Sequence, residues 1–357
     1  MSGGVDSSVS ASLLVEQGFD VTGVFIKAWH PEWAPCDWKD DRRDAMRVCA
    51  TLDIPFITLD LEKEYKQEVV DYMVHEYSIG RTPNPDVMCN KYVKFGGFLQ
   101  FALTEGADFV ATGHYAKREE KKKNKNERQP TTYTLHTSKD TEKDQTYFVW
   151  TLTQKQLQHV LFPVGYLKKV EVRALAKKFN LPNAVKKDSQ GLCFVGKVDM
   201  KEFLGHFILA KKGKVLDPEG KTIGMHDGAF FLTIGQRHGF TVHNMKDSVT
   251  PLYVVEKNIT KNTITVSTKD PHSVVEFGVH TVELSQVNWI NSEPETETIY
   301  SVRLRYRQIL IDAQITKIKK KWTVIFQEKI IGASVGQSLV VYIGSECVGG
   351  GVIEHAF

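Results

Sequence analysis

A glycine–serine loop and two cysteines carry the chemistry open to this sequence. The loop is SGGVDSS, residues 2–8. Consecutive glycines let a backbone form a concave nest whose N–H groups converge on an anion, and a following helix adds its positive end. Ser2, Ser7 and Ser8 can donate hydroxyls to phosphate oxygens, while Asp6 can cap the helix or help hold a magnesium ion. No G-K-[ST] follows, so this is not a Walker loop. A plain glycine turn with a serine N-cap is the competing reading.

Cys89 stands in GRTPNPDVMCNKYVKF (80–95), behind an Asn–Pro turn and Asp86. Set just ahead of a helix expected over 92–105, with Lys91 and Lys94 nearby, its thiol should have a lowered pKa and be nucleophilic. Cys193 lies in KKDSQGLCFVG, a glycine-flanked turn after a lysine pair. Two loop cysteines beside basic residues suit sulfur transfer better than packing. The other thiols read as packing groups: Cys49 in an apolar helix stripe with Met46, Cys347 in a C-terminal strand, and Cys36 in an aromatic loop. No C-x-x-C pair occurs, so the usual zinc and iron–sulfur spacings are absent and no metal centre is expected. Five scattered cysteines fit free thiols in a reducing cytoplasm.

These residues need elements to hold them. A helix is expected from Ser7 to Gln17, ending at Gly18, with further helices over 41–52, 62–79 and 168–180. Apolar runs at 21–29, 54–61 and 107–115 read as strands between them, which makes βαβ units on a parallel sheet. The charged stretch 117–130 reads as a mobile surface loop. Beyond about residue 198 the strands shorten and turns multiply. The chain of 357 residues divides accordingly. An α/β catalytic domain spans 1–197, a small middle domain 198–268, and a C-terminal antiparallel barrel or sandwich 269–357.

The net charge of +3 does not by itself point to nucleic acid. Its distribution is more telling: residues 165–187 hold seven Lys/Arg against one acidic residue, and 301–330 hold eight against two. Such clusters can form phosphate-binding faces. No apolar run approaches the eighteen or so residues needed to span a bilayer, so no membrane partner is expected.

SGGVDSS resembles the pyrophosphatase loop of the N-type ATP pyrophosphatases, which adenylylate a carbonyl oxygen. Together with GRTPNPDVMCNKYVKF, ATGHYA, KDQTYF, LFPVG, KKDSQGLCFVG, TIGQRHG, RYRQ and VGQS…GGGVIE, it resembles the tRNA-specific 2-thiouridylases over essentially the whole chain. That resemblance implies an adenine-nucleotide alpha-hydrolase-like parallel sheet and a tRNA-contacting barrel. It implies that Ser2, Gly3, Gly4, Val5, Asp6, Ser7 and Ser8 hold ATP phosphates, with magnesium, and that Ile26 and Gly113 touch the nucleoside. A persulfide sulfur-donor protein would load Cys193. The wobble uridine of Lys, Glu and Gln acceptor tRNAs would be adenylylated at its 2-carbonyl and attacked by the persulfide. Cys89 would release the sulfur, and Asp86 would serve as acid/base. The target base would meet Asn84, Pro85 and Asp86, and tRNA would also touch His114, Lys143, Asp144, Gln145, Arg305, Tyr306 and Gln337.

The resemblance also implies an apolar strand directly before SGGVDSS. The chain begins at Met1, so an upstream start or a truncated record is the expectation. Two competing readings remain: an ATP pyrophosphatase that amidates a small metabolite, and a non-catalytic RNA-binding protein.

Overall fold

The computed structural model describes residues 1–33, 38–121, 131–188, 191, 193, 194, 196, 199–243, 250–271, 274 and 277–357. Cys36 and residues 122–130 of the expected charged loop lie outside them.

Helix α1 (Val5–Glu16) has Gly4 as its N-cap, so it starts two residues before the expected Ser7. Its end falls where the glycine signal puts it. Gly18 adopts φ +83°, and the N–H groups of Gly18 and Phe19 bond back to the carbonyls of Val15 and Leu14, a Schellman closure. Strands β1 (Gly23–Lys27) and β2 (Phe56–Asp60) pair in parallel, Val24 opposite Ile57, with helix α2 (Trp38–Thr51) between them in sequence. A Cβ at Gly23 would stand 2.3 Å from the Cys49 sulfur, so glycine lets α2 sit on the strand. Cys49 is buried there as expected, whereas Met46 is 42% exposed and is not part of the stripe.

The strand expected over 107–115 shortens to β3 (Val110–Ala111). Beyond it the charged stretch is not all loop: β4 (Ala116–Lys121) pairs antiparallel with β5 (Thr132–Thr137). Charge does not prevent a strand whose outer face is solvated, and Arg118 stacks on Tyr133 at 4.2 Å. β3 pairs in parallel with β6 (Val160–Leu161). The parallel strands therefore stand in two separate pairs, and the Met1 amine donates to the Val24 carbonyl of β1 at 2.5 Å.

Two long helices differ from a plain α reading. Residues 62–78 form one continuous helix with a π segment at Lys66–Asp71. Residues 85–104 form another, with a π segment at Cys89–Phe98. The second starts at Pro85, seven residues before the expected 92, because Pro85 takes the first helical position and the Asn84 side chain accepts the Val87 N–H.

The middle region folds a five-stranded sheet in the order Tyr253–Asn258, Thr263–Ser267, Gly213–Leu216, Thr222–His226, Phe240–Val242. The C-terminal strands close into a barrel. Val279–Trp289, Lys321–Ile330, Ile311–Ile318, Ile299–Arg303, Ser338–Ile343 and Glu346–Ala356 pair in that order, and the last returns to the first. Val282, Val302, Ile315, Val324, Leu339 and Ile353 fill it. Closure resolves the barrel-or-sandwich alternative. β5 then adds to the edge of this sheet, Leu135 opposite Cys347, so the α/β region and the barrel share backbone hydrogen bonds.

Candidate active site

The glycine loop and the two cysteines are each held by partners distant in sequence. Gly3 has φ +74°, and a Cβ there would meet the Asp41 carbonyl at 2.4 Å, so the loop requires glycine. Asn183, nearly fully buried, donates to the Gly3 carbonyl and the Ser8 hydroxyl, each at 2.9 Å. Gly113 closes the floor: a Cβ there would lie 2.7 Å from the Ser7 nitrogen. Ile26 sits at the carboxyl end of β1, where ligands of parallel sheets bind.

The loop's polar side chains are not all turned outward. Ser7 and Ser8 donate to the Gly4 carbonyl, and Ser8 is buried; Ser2 is exposed and shares a 3.0 Å hydrogen bond with Ser7. Asp6 is no helix cap. Its carboxylate takes the Lys169 ammonium at 2.7 and 2.8 Å and the Tyr115 hydroxyl at 2.8 Å. With both oxygens so engaged it does not fit a magnesium ligand. Among the described residues no group of three His, Cys, Asp or Glu is arranged to hold a metal ion.

Cys89 and Cys193 are free thiols joined by a hydrogen bond. Cys89 lies inside the 85–104 helix, fully buried, rather than ahead of it. The expectation of a lowered Cys89 pKa is therefore wrong. Burial first, then its hydrogen bond and repulsion with Cys193, push the Cys89 thiol well above the ordinary range. Cys193 takes the lowered value instead. The hydrogen bond from Cys89 draws it down, burial pushes back, and Lys94 helps bring it to about 7. Of the two thiols, Cys193 is the one held closer to ionising.

The π segment explains why Lys94 is in place. In an α-helix of 3.6 residues per turn, residues five apart point in well-separated directions. Bonding from i to i+5 brings them closer to one face, and Lys94 is five residues beyond Cys89 in the segment. Lys94 hydrogen-bonds the Cys193 sulfur, and although burial would lower its pKa, Cys193, Cys89 and Asp86 raise it above the usual value. Lys91, also expected near the thiols, instead sits over the Tyr92 ring at 4.8 Å.

Two more groups fix Cys193. Its N–H donates to Asp86 at 3.1 Å, and its carbonyl accepts from the Tyr65 hydroxyl at 2.6 Å. Burial raises the Asp86 carboxyl above its ordinary value, against the Cys193 N–H and Lys94. Burial, followed by Lys94, keeps His114 neutral well below its usual pKa, between Phe95 and Phe162 and bonded to Thr112 at 2.8 Å.

The barrel joins this centre along the NPD turn. Gln337 donates to the Pro83 carbonyl at 3.1 Å and accepts from Asn84 at 3.5 Å. Tyr147 bonds the carbonyls of Leu304 and Ser338, Phe148 packs on Tyr306 at 4.6 Å, and Arg305 donates to Ser334 at 3.3 Å. Asn84, Pro85, Asp86, Arg305, Tyr306 and Gln337 thus gather at one seam. Lys143, Asp144 and Gln145 do not join them. Lys143 pairs with Asp188, and Gln145 accepts the Tyr115 N–H. Asp144 is 3% exposed and occupied by Ser138, Thr146 and Arg303, which makes it a buried structural carboxylate rather than an RNA-facing group.

The tRNA methyl transferase HUP domain family matches residues 1–197, the tRNA methyl transferase PRC-barrel domain family 201–268, and the aminomethyltransferase beta-barrel domain family 279–353. The tRNA-specific 2-thiouridylase MnmA of Enterococcus faecalis is 41% identical over 364 residues, covering 100% of this chain and 94% of its own. The enzyme of the same name from Streptococcus thermophilus is 42% identical over 365 residues with the same coverage. The chain belongs to the tRNA-specific 2-thiouridylase family. Its fold is the HUP-type α/β domain followed by a middle domain and a closed β-barrel.

For a member of this family, sequence reasoning missed Tyr65, Tyr115, Lys169, Asn183 and Asp188 as parts of the site. Tyr65 and Asn183 stand far from the motifs they serve: Tyr65 is 128 positions from Cys193, and Asn183 is 180 from Gly3. Asp188, inside KKDSQGLCFVG, and Tyr115, inside ATGHYA, lay within quoted motifs.

Proposed function

We propose that this protein is an ATP-dependent tRNA-uridine 2-sulfurtransferase. The observation that carries the reading is the Cys89–Cys193 pair, in which the buried Cys89 thiol is pushed up and Cys193, beside Lys94 and with its N–H on Asp86, is drawn down to about 7. A thiolate is the nucleophile that accepts sulfur from a persulfide.

In this reading the glycine loop, with Ile26 and Gly113, holds ATP, which adenylylates the 2-carbonyl oxygen of the wobble uridine and releases pyrophosphate. The Cys193 thiolate attacks the outer sulfur of a donor protein's persulfide, forming its own persulfide and freeing the donor thiolate. The terminal sulfur then attacks C2 of the uridine and AMP leaves. Cys89 attacks the inner sulfur of Cys193, the C2–sulfur unit departs as 2-thiouridine, and a Cys89–Cys193 disulfide remains for a dithiol reductant. Cys89 must lose its proton for that step, and Asp86 is the acceptor at hand. The uridine must be unstacked to be reached, and the seam of Asn84, Pro85, Asp86, Arg305, Tyr306 and Gln337 supplies polar edges and an aromatic face. His114 belongs to the tRNA-binding side, whereas Lys143 and Gln145 are held on the nucleotide side, in a protein that works in the cytoplasm.

Methyl transfer, which the family descriptions name, would leave both thiols and the phosphate loop without a task. Amidation of a small metabolite would leave the thiols and barrel unused. The test is pyrophosphate release from ATP. Release that requires unmodified acceptor tRNA supports the proposal; release without RNA contradicts it.

A further inference from the structure

One carboxylate beside the glycine loop is held by three cations. Asp188 takes Lys169 at 2.8 Å, Arg173 at 2.5 Å and Lys143 at 3.0 Å. Burial opposes its ionisation, but hydrogen bonds from Lys169 and Lys143 bring its pKa to about 2. Lys169 is the link. Only 13% of its side chain is exposed, and the same ammonium reaches Asp6 in the first turn of α1. A continuous chain of ion pairs therefore runs from the phosphate loop to Asp188. Asp188 stands five positions before Cys193, and Arg173 also donates to the carbonyls of Ala184 and Lys186 in the approach to it.

A carboxylate offers lysine and arginine the same oxygens that a phosphate does. Three cations stand against Asp6 and Asp188 next to a helix N-terminus, and Asp140 accepts the Lys169 N–H at 2.8 Å. We infer that Lys169, Lys143 and Arg173 form the cationic wall of a pyrophosphate site, and that Asp188 competes with the phosphates for them. Occupancy of that site is thereby linked to the segment that carries Cys193. The inference rests on the reading of SGGVDSS as a nucleotide loop and assigns Lys169 as a positioning residue between the two halves of the reaction. Linkage is reciprocal: an anion that takes these cations from Asp188 must alter the Cys193 segment, and anchoring that segment must weaken the anion.

The experiment uses the full chain and inorganic pyrophosphate. Calorimetric affinity is measured for the parent, Asp188→Asn, Lys169→Met, and Glu171→Gln; Glu171 lies in the Lys169–Lys178 helix and its exposed carboxylate pairs with Lys139. Cys193 alkylation by iodoacetamide is followed by peptide mass analysis, with and without saturating pyrophosphate. Asp188→Asn should bind pyrophosphate about tenfold tighter and Lys169→Met about tenfold weaker, with Glu171→Gln within about twofold of the parent. Pyrophosphate should change Cys193 alkylation at least about threefold in the parent and not in Asp188→Asn. Equal or weaker binding by Asp188→Asn, or parent alkylation indifferent to pyrophosphate, overturns the inference. If Asp188→Asn melts early, Lys143→Met replaces it; binding about fivefold weaker is then expected, and unchanged binding overturns the wall. Formation of 2-thiouridine is scored separately, so loss of this linkage and failure of the sulfurtransferase reading are told apart.

Discussion

Cys89 and Cys193 have the same side chain and opposite settings. Cys89 is fixed in a long helix whose first turn is joined to the barrel through Asn84, Pro83 and Gln337. Cys193 lies in a connecting segment that Asp188 and Lys186 tie to the phosphate-loop side. The helix buries its thiol and keeps it protonated, while the segment brings its thiol against Lys94 and leaves it close to ionising at neutral pH. The contrast teaches that position at a helix start does not decide cysteine reactivity. Neighbours and burial do. In the proposed reading it divides the molecule into a nucleotide side tied to Cys193 and an RNA side tied to Cys89.

The largest expected effect tests that division at the nucleotide side. Gly113→Ala puts a Cβ into the Ser7 backbone, which cannot give way without moving the loop. ATP binding should weaken about a hundredfold, an effect of the size expected for backbone overpacking. Binding of tRNA, measured by filter retention, should stay within about twofold; parallel losses would mean the two sides are not separable.

Next in size is the cation between the thiols. Lys94→Met removes the charge that favours the Cys193 thiolate. The pH of half-maximal Cys193 alkylation should rise from about 7 toward the ordinary thiol range, and the rate at pH 7 should fall about tenfold. An unmoved profile would leave Cys89 alone responsible for the asymmetry.

The smallest effect sharpens the RNA side. Arg305 stands at the seam, while Lys317 pairs with Glu293 and packs on Trp322 out on the barrel. Arg305→Gln should weaken tRNA binding a few-fold and reduce its salt slope by about one, as loss of one phosphate contact requires. Lys317→Gln should do neither. Equal effects would indicate a diffuse basic face.

Part of the framework was legible because local signals governed it. Gly18 ended α1 and alternating short strands announced the barrel, whereas the Asn84–Pro85 opening of the second long helix was read seven residues late. Errors arose where distant partners decide. The charges of 117–121 hid a strand whose stability comes from β5. The π segment that carries Cys89 and Lys94 has no sequence period of its own. Asp144 sits in a motif that reads as RNA-facing, yet Arg303, 159 positions away, makes it internal. The thiol pair was readable as a pair, but which thiol ionises depends on Lys94, Asp86 and depth, none of which spacing reveals.

The most direct test of the thiol asymmetry is sulfur loading. The parent, Cys89→Ser and Cys193→Ser chains are each incubated with a persulfide-donor protein, and each cysteine peptide is weighed by mass spectrometry before tRNA and ATP are added. One extra sulfur should appear on the Cys193 peptide of the parent and of Cys89→Ser, and on no peptide of Cys193→Ser. Only the parent should then form 2-thiouridine. Sulfur on the Cys89 peptide, or full thiolation by either variant, would contradict the assignment of Cys193 as carrier and Cys89 as its partner.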